Sequence, residues 1–216
     1  NTLDGLVLNI NGQDVWTKMM GDFNAYNLLS VFAVADQLGM DNMQVLTMIS
    51  TLKSVDGRFQ YLQSEDKITA IVDYAHTPDA LKNVLKTINN IRTGNEQLIT
   101  VVGCGGDRDK TKRPIMARIA ADLSDRVVLT SDNPRTEDPE AILKEMEDGL
   151  DPIERKKTIK ITNREEGIKT ACALAQAGDI ILIAGKGHEK YQEINGERSH
   201  FDDVEIVEQN LKIISK

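Results

Sequence analysis

The spacing of apolar positions changes along the chain. In the opening stretch DGLVLNINGQDVWTKMMG, two β-favouring runs flank Asn11-Gly12. An Asn-Gly pair between such runs predicts a hairpin closed by a tight turn. From Ala25 to Leu38 the apolar residues recur at helical spacing and stop at Gly39, and a second helical stretch covers Asn42 to Leu52. From Lys67 onward, continuous apolar runs alternate with amphipathic segments. ITAIVDYA, LITVVGC, RVVLTSD, IKIT and DIILIAG predict strands. Pro78 to Ile91, Pro114 to Leu123, Pro139 to Leu150 and Glu165 to Ala177 predict the helices between them. Strands that are apolar at consecutive positions are buried on both faces, so this alternation predicts an α/β domain with a doubly wound, mostly parallel sheet. A second Asn-Gly, at Asn195-Gly196 between YQEING and RSHF, predicts an antiparallel edge hairpin before a terminal helix from Asp203 to Ile214. The two textures meet near Ser54.

In such a sheet, ligands bind beyond the carboxyl ends of the strands. Here those ends run into DYAHTPD, GCGGDRDKTKRP, SDNPRTEDP, TNREEG and AGKGHEKYQ, so glycine, proline and charged side chains collect along one edge. In the first loop, Asp73 ends a strand, Thr77 and Pro78 read as N-cap and first helical residue, and His76 lies between them. The glycines of GCGG permit close approach of an anionic ligand to main-chain N–H groups, although the charged residues Asp107 to Arg113 also suit a solvated loop. The G-x-G-G spacing is not a dinucleotide fingerprint, only Asp125 stands near the place of a ribose-binding acid, and no G-x-x-x-x-G-K-[ST] occurs. These features count against NAD and against a P-loop within the chain. In AGKGHE, Gly185 and Gly187 permit a sharp turn, leaving Lys186, His188 and Glu189 directed at the same edge. In SDNPRTEDP, Pro134 stiffens the loop and Asp138-Pro139 begins the next helix.

Composition narrows the partners. The chain has 216 residues, 40% of them hydrophobic, which is enough for a substantial core, and a formal charge of -8. An acidic field repels polyanions, so a nucleic-acid or anionic-membrane surface is not expected and a small-molecule role is. No membrane-inserting or signal-like segment is present, and the two cysteines lack metal-ligand spacing. Cys104 is expected as a small residue at a tight turn and Cys172, in ACALA, as core. Free thiols suggest a cytoplasmic protein, and a monomer is expected. The first residue is Asn rather than Met and leads directly into strand-like sequence. The chain is therefore expected to be part of a longer protein.

FNAYN, GRFQ, DYAHTPDAL, GCGGDRDKTKRP, DNPRTEDP and AGKGHEKYQ together resemble the Mur ligases of peptidoglycan synthesis, over nearly the whole chain. The resemblance implies that residues 1–53 are the end of a central ATP-binding domain and residues 54–216 a Rossmann-like, amino-acid-binding C-terminal domain. It implies ATP-dependent amide formation through an acyl phosphate, with Mg2+ as cofactor. The substrates would be ATP, a UDP-N-acetylmuramoyl dipeptide and an incoming amino acid. It assigns Asn24, Arg58, Asp73 and His76 to ATP, and Arg108, Asp132, Asn133, Pro134, Arg135, Gly185 and Glu189 to the amino acid. DNPR is the pattern of the diaminopimelate-adding members. Meso-diaminopimelate carries a distal carboxylate, absent from lysine, that an arginine fork can grip. The family's P-loop and acidic magnesium ligands would lie upstream, so no catalytic residue and no metal ligand is expected here and the chain alone is expected to be inactive. Alternatives are a related Mur or folylpolyglutamate-type ligase for another amino acid and a non-catalytic Rossmann-like ligand-binding module. A nicotinamide-dependent oxidoreductase fits less well.

Overall fold

A computed structural model describes residues 5–214. Asp4, at the start of the first predicted hairpin stretch, lies outside the described residues. The chain divides into two compact units, one of Asn1–Val55 with Thr87–Thr93 and one of Asp56–Lys86 with Gly94–Lys216.

In the first unit, β1 (Leu6–Ile10) pairs antiparallel with β2 (Gln13–Thr17). Asn11 and Gly12 both adopt positive φ, at 51° and 81°, the conformation that fits a two-residue hairpin to the twist of its strands. Two helices follow, α1 (Asp22–Gln37) and α2 (Asn42–Thr51). Asp41 caps α2 by accepting from Gln44 N, and Gly39 ends the preceding turn with φ 73°. Val15, Leu28, Phe32, Val45, Leu46 and Ile49 form the buried core of this unit.

The second unit is built on a six-stranded sheet of order β3-β4-β8-β5-β6-β7. Its parallel strands are β4 (Thr69–Asp73), β5 (Leu98–Val102), β6 (Arg126–Leu129), β7 (Thr158–Lys160) and β8 (Ile180–Ala184). The helices α3 (Pro78–Ile91), α4 (Lys112–Leu123), α5 (Pro139–Glu147), the single-turn α6 (Pro152–Lys156) and α7 (Arg164–Leu174) fall between them. β4, β5 and β8 are buried at every position, as their uninterrupted apolar sequences require. Ala70, Val72, Ile99, Val101, Ile181 and Ile183 pack against α7 and the terminal helix α8 (Asp203–Ile214). Side chains alternate along a strand, so Leu98, Thr100 and Val102 face the opposite layer. There Thr100 Oγ1 lies 2.7 Å from Ser124 Oγ at the end of α4.

The sequence pattern passed over α6 and β3 (Gln60–Gln63), the antiparallel edge strand beside β4. The hairpin of β9 (Tyr191–Ile194) and β10 (Glu197–His200) forms across Asn195-Gly196 as expected, as a two-stranded sheet of its own. Cys172 belongs to the core and Cys104 is buried, its thiol pushed up to about 12 by desolvation.

Candidate functional site

The carboxyl ends of β5, β6 and β8 meet in a cleft of about 630 Å3. The loop after β5 carries three glycines, of which Gly105 lines the cleft. Gly103, Gly105 and Gly106 are not among the residues with positive φ. They make room for the loop after β6. A Cβ on Gly103 would come within 2.3 Å of Thr130 O, and one on Gly106 within 1.9 Å of Pro134 O. A Cβ on Gly105 would come within 2.9 Å of Arg135 Nη1. The glycines thus admit a neighbouring main chain and a guanidinium, and Gly106 N donates to Asn133 O at 2.9 Å.

Arg113 secures the same loops from beneath. It was expected in a charged loop, yet it sits in α4 with a fully buried side chain. Its guanidinium bonds Glu137 Oε1 at 2.8 Å, Glu145 Oε2 at 2.7 Å and Gly105 O at 3.2 Å. Glu137 also accepts from Asp107 N, and the Arg113 guanidinium holds its carboxyl far below the usual range. A second buried pair joins the other two strand ends. Arg164, on α7, forms a two-point ion pair with Asp203 of α8, at 2.8 and 2.7 Å, and donates to Ser131 O and Ala184 O. A buried charge pair is costly unless its remaining donors are satisfied, and here they hold the backbone leading into the cleft.

The loop after β8 supplies the polar floor. Gly185 has φ 117°, and a Cβ there would come within 2.8 Å of Asp132 Oδ2. Lys186, expected to point across the edge, is fully buried. Its ammonium donates to Asn133 Oδ1 at 2.9 Å, lies 3.4 Å from Glu189 Oε2 and 3.9 Å from Asp132 Oδ1, and stands over the Tyr191 ring. Desolvation lowers its pKa, against the pull of Asp132 and Glu189. Glu189 divides its oxygens: Oε1 accepts from the Tyr74 hydroxyl at 3.3 Å, and Oε2 from Asn133 Nδ2 at 2.9 Å. Asn133 is thereby held through both its amide oxygen and its amide nitrogen.

Arg108, Asp132, Asn133, Arg135, Gly185 and Glu189 all line the cleft, while Pro134 is buried. Arg135 has φ 51°, uncommon for a residue with a side chain. Its guanidinium makes one hydrogen bond among the described residues, Nη1 to Gly106 O at 2.8 Å, and its other donors remain at the cleft. Arg108 is exposed and bonds Asp107 O. The four residues assigned to ATP are placed differently. Asn24 lies in the first unit, buried, with Nδ2 on Met20 O and Oδ1 accepting from Asn27. Asp73 accepts from Phe59 N at 2.7 Å, and burial raises its pKa. Arg58 is exposed, its guanidinium 4.8 Å from the centre of the Tyr74 ring. His76 is exposed, with Nδ1 2.8 Å from Tyr74 O. Arg58 and His76 are therefore the two that offer polar groups outward. Among the described residues no three His, Cys, Asp or Glu side chains gather as a metal cage.

Sequence reasoning left Tyr74 and Tyr191 out of the site and set Lys186 at its edge without foreseeing its burial. The lysine between two glycines in AGKGHE was the available signal, since a buried cation at a tight turn needs acidic partners close by. A further groove of about 550 Å3, lined by Tyr61, Leu62, Glu208 and Leu211, lies at the amino end of β4, away from these loops.

Residues 57–187 match the family described as Mur ligase, glutamate ligase domain. Over all of its length the chain is 54% identical to a UDP-N-acetylmuramoyl-L-alanyl-D-glutamate--2,6-diaminopimelate ligase of Cytophaga hutchinsonii, of which it covers 44%. Over 95% of its length it is 47% identical to the enzyme of the same name from Bacillus licheniformis, covering 41% of it. A solved structure of a ligase of that name superposes with a TM-score of 0.74 at 42% identity, covering all of this chain and 44% of the other. A folylpolyglutamate synthase from Thermotoga maritima, 19% identical with a TM-score of 0.63 over 80% of this chain and 38% of its own, shares the fold. The chain spans less than half the length of the curated relatives it matches. On the family match and the strand-end cleft together, the chain belongs to the Mur ligase family.

Proposed function

We propose that this chain is the amino-acid-binding C-terminal part of an ATP-dependent ligase that adds meso-2,6-diaminopimelate to UDP-N-acetylmuramoyl-L-alanyl-D-glutamate. The observation that carries the reading is Arg135. Its guanidinium stands at the cleft with one internal hydrogen bond, beside the acids Asp132 and Glu189. A cleft that offers a fork for a carboxylate and acids for an ammonium suits an amino-acid head group. Diaminopimelate has two such heads. One is held at its far end by Arg135, with Asp132 and Glu189 toward its ammonium, and the other presents the reacting amine. Arg108, at the rim, adds a second cation toward the carboxylates. Gly185 is required because any side chain there would displace Asp132.

In this reading residues 1–53 close a central ATP-binding domain and residues 54–216 form the domain that delivers the amino acid. Arg58 and His76 fit a nucleotide phosphate or ribose. Asn24 and Asp73 are bonded to the backbone at Met20 O and Phe59 N and present less to a ligand. ATP supplies the phosphoryl group that activates the peptide carboxylate. The amine of the incoming amino acid then attacks the acyl carbon and phosphate leaves. No magnesium ligand is assigned to this chain, and in this reading the P-loop and metal ligands would belong to the rest of a longer protein. The chain alone is therefore read as catalytically silent, and as part of a cytoplasmic, monomeric enzyme.

Calorimetric titration of the chain with meso-diaminopimelate and with L-lysine tests the specificity. Diaminopimelate is expected to bind on the order of 100-fold more tightly, because an arginine left without its carboxylate loses a charge-assisted contact. Equal affinities would exclude the assignment of the amino acid.

A further inference from the structure

The β9–β10 hairpin shares no ladder with the six-stranded sheet, yet β9 reaches the Asp132–Arg135 loop at three of its four residues. Gln192 Nε2 donates to Asp132 O at 2.7 Å, and Glu193 N donates to Asn133 Oδ1 at 3.0 Å. Arg135 is held on both sides of its peptide unit: its N–H donates to Glu193 O at 3.0 Å, and its carbonyl accepts from Asn195 N at 2.7 Å. A side-chain-bearing residue in the left-handed region persists only where its surroundings over-determine it. These contacts supply that determination for Arg135. The hairpin is stiffened from its other face, where the Arg198 guanidinium lies 4.4 Å over the Tyr191 ring and bonds Glu193 Oε2 at 3.1 Å.

We propose that β9 is a strap that sets the specificity of the cleft by holding Arg135 in its left-handed conformation, and that Gln192 is the positioning residue whose side chain ties the strap to the loop. This rests on the reading of Arg135 as the holder of a distal carboxylate. Gln192 does not line the cleft, so its effect on a ligand passes through the loop. The consequence is selective. A ligand that uses Arg135 feels the strap loosen, whereas one lacking the distal carboxylate does not.

The test uses the 216-residue chain with Gln192→Leu and, as a more soluble partner, Gln192→Glu. The substituted side chains are close in size to the native one, and neither donates to Asp132 O at neutral pH. Amide hydrogen exchange needs no ligand. It should speed up about tenfold at Arg135 and Asn195 while the amides of β4, β5 and β8 keep their protection. In titration, the Kd for meso-diaminopimelate should rise about tenfold in both variants and that for L-lysine by less than about twofold. Unchanged exchange at Arg135 in both variants, or an equal loss of affinity for both amino acids, overturns the strap. If Arg135→Ala leaves the affinity for diaminopimelate unaltered, the assigned role of Arg135 fails instead, and the exchange measurement still decides whether β9 holds the loop.

Discussion

Glu137 shows how one residue can belong to a binding motif and act only through its neighbours. It lies two positions beyond Arg135, and its carboxylate is held between Arg113, Lys110 and Asp107 N. Because Arg113 is fully buried, removing Glu137 would leave a partly unpaired guanidinium, at a cost of about 3 kcal/mol. Arg113, then Lys110, depresses the Glu137 pKa below its ordinary value of 4.5. The stabilisation is therefore complete above that value and is lost as pH falls below it. Asp73 is shifted the other way by burial, so its stabilising share appears at low pH, and it is the same in both proteins. Denaturant unfolding of Glu137→Gln should show lower stability at pH 7 and a difference from the native chain that shrinks toward pH 3. A difference that stays constant would contradict the ion-pair account. The DNPR loop was legible because proline and charge at a strand end are local signals. The anchoring role of Arg113 was not, since it depends on Glu137 and Glu145, far along the chain, reaching back to it.

Among the elements, strands that are buried throughout and helices that follow proline or a capping acid could be read directly. β4, β5 and β8 are apolar without interruption, and α5 begins at Pro139 with Asp138 as its cap. β3 escaped because four half-buried residues, QYLQ, carry too little pattern, and α6 because a single turn has no periodicity. The glycines of GCGG showed that space is needed, but sequence does not say whether a ligand or another loop fills the space beside a missing side chain, and beside Gly103 and Gly106 it is another loop. Two substitutions separate these uses of glycine. Gly106→Ala would place a Cβ within 1.9 Å of Pro134 O, whereas Gly196→Ala meets nothing within 4 Å and strains only its φ of 81°. Thermal unfolding should show a loss of about 3 kcal/mol or more for the first and about 1 kcal/mol for the second. Similar losses would mean that the two loops do not need their close approach.

For the whole molecule, the alternation of strands and helices fixed the class of fold, but not the insertion of β8 between β4 and β5. That insertion brings AGKGHE beside DNPR, so that Lys186 meets Asn133, Asp132 and Glu189. No local pattern encodes such a meeting; of the seven residues that motif resemblance assigned to the amino acid, six line the cleft, which periodicity alone could not have picked out. The close-packed glycine loop and the β9 hairpin hold the loop from Asp132 to Arg135, and the pairs Arg113–Glu137 and Arg164–Asp203 hold its flanks at Glu137 and Ser131. In the proposed reading this support serves the Arg135 guanidinium. Titration of Arg135→Ala with meso-diaminopimelate and with L-lysine tests it most directly. The affinity for diaminopimelate should fall on the order of 100-fold, to that for lysine, which itself is unchanged. A variant that still prefers diaminopimelate as strongly as the native chain would contradict it.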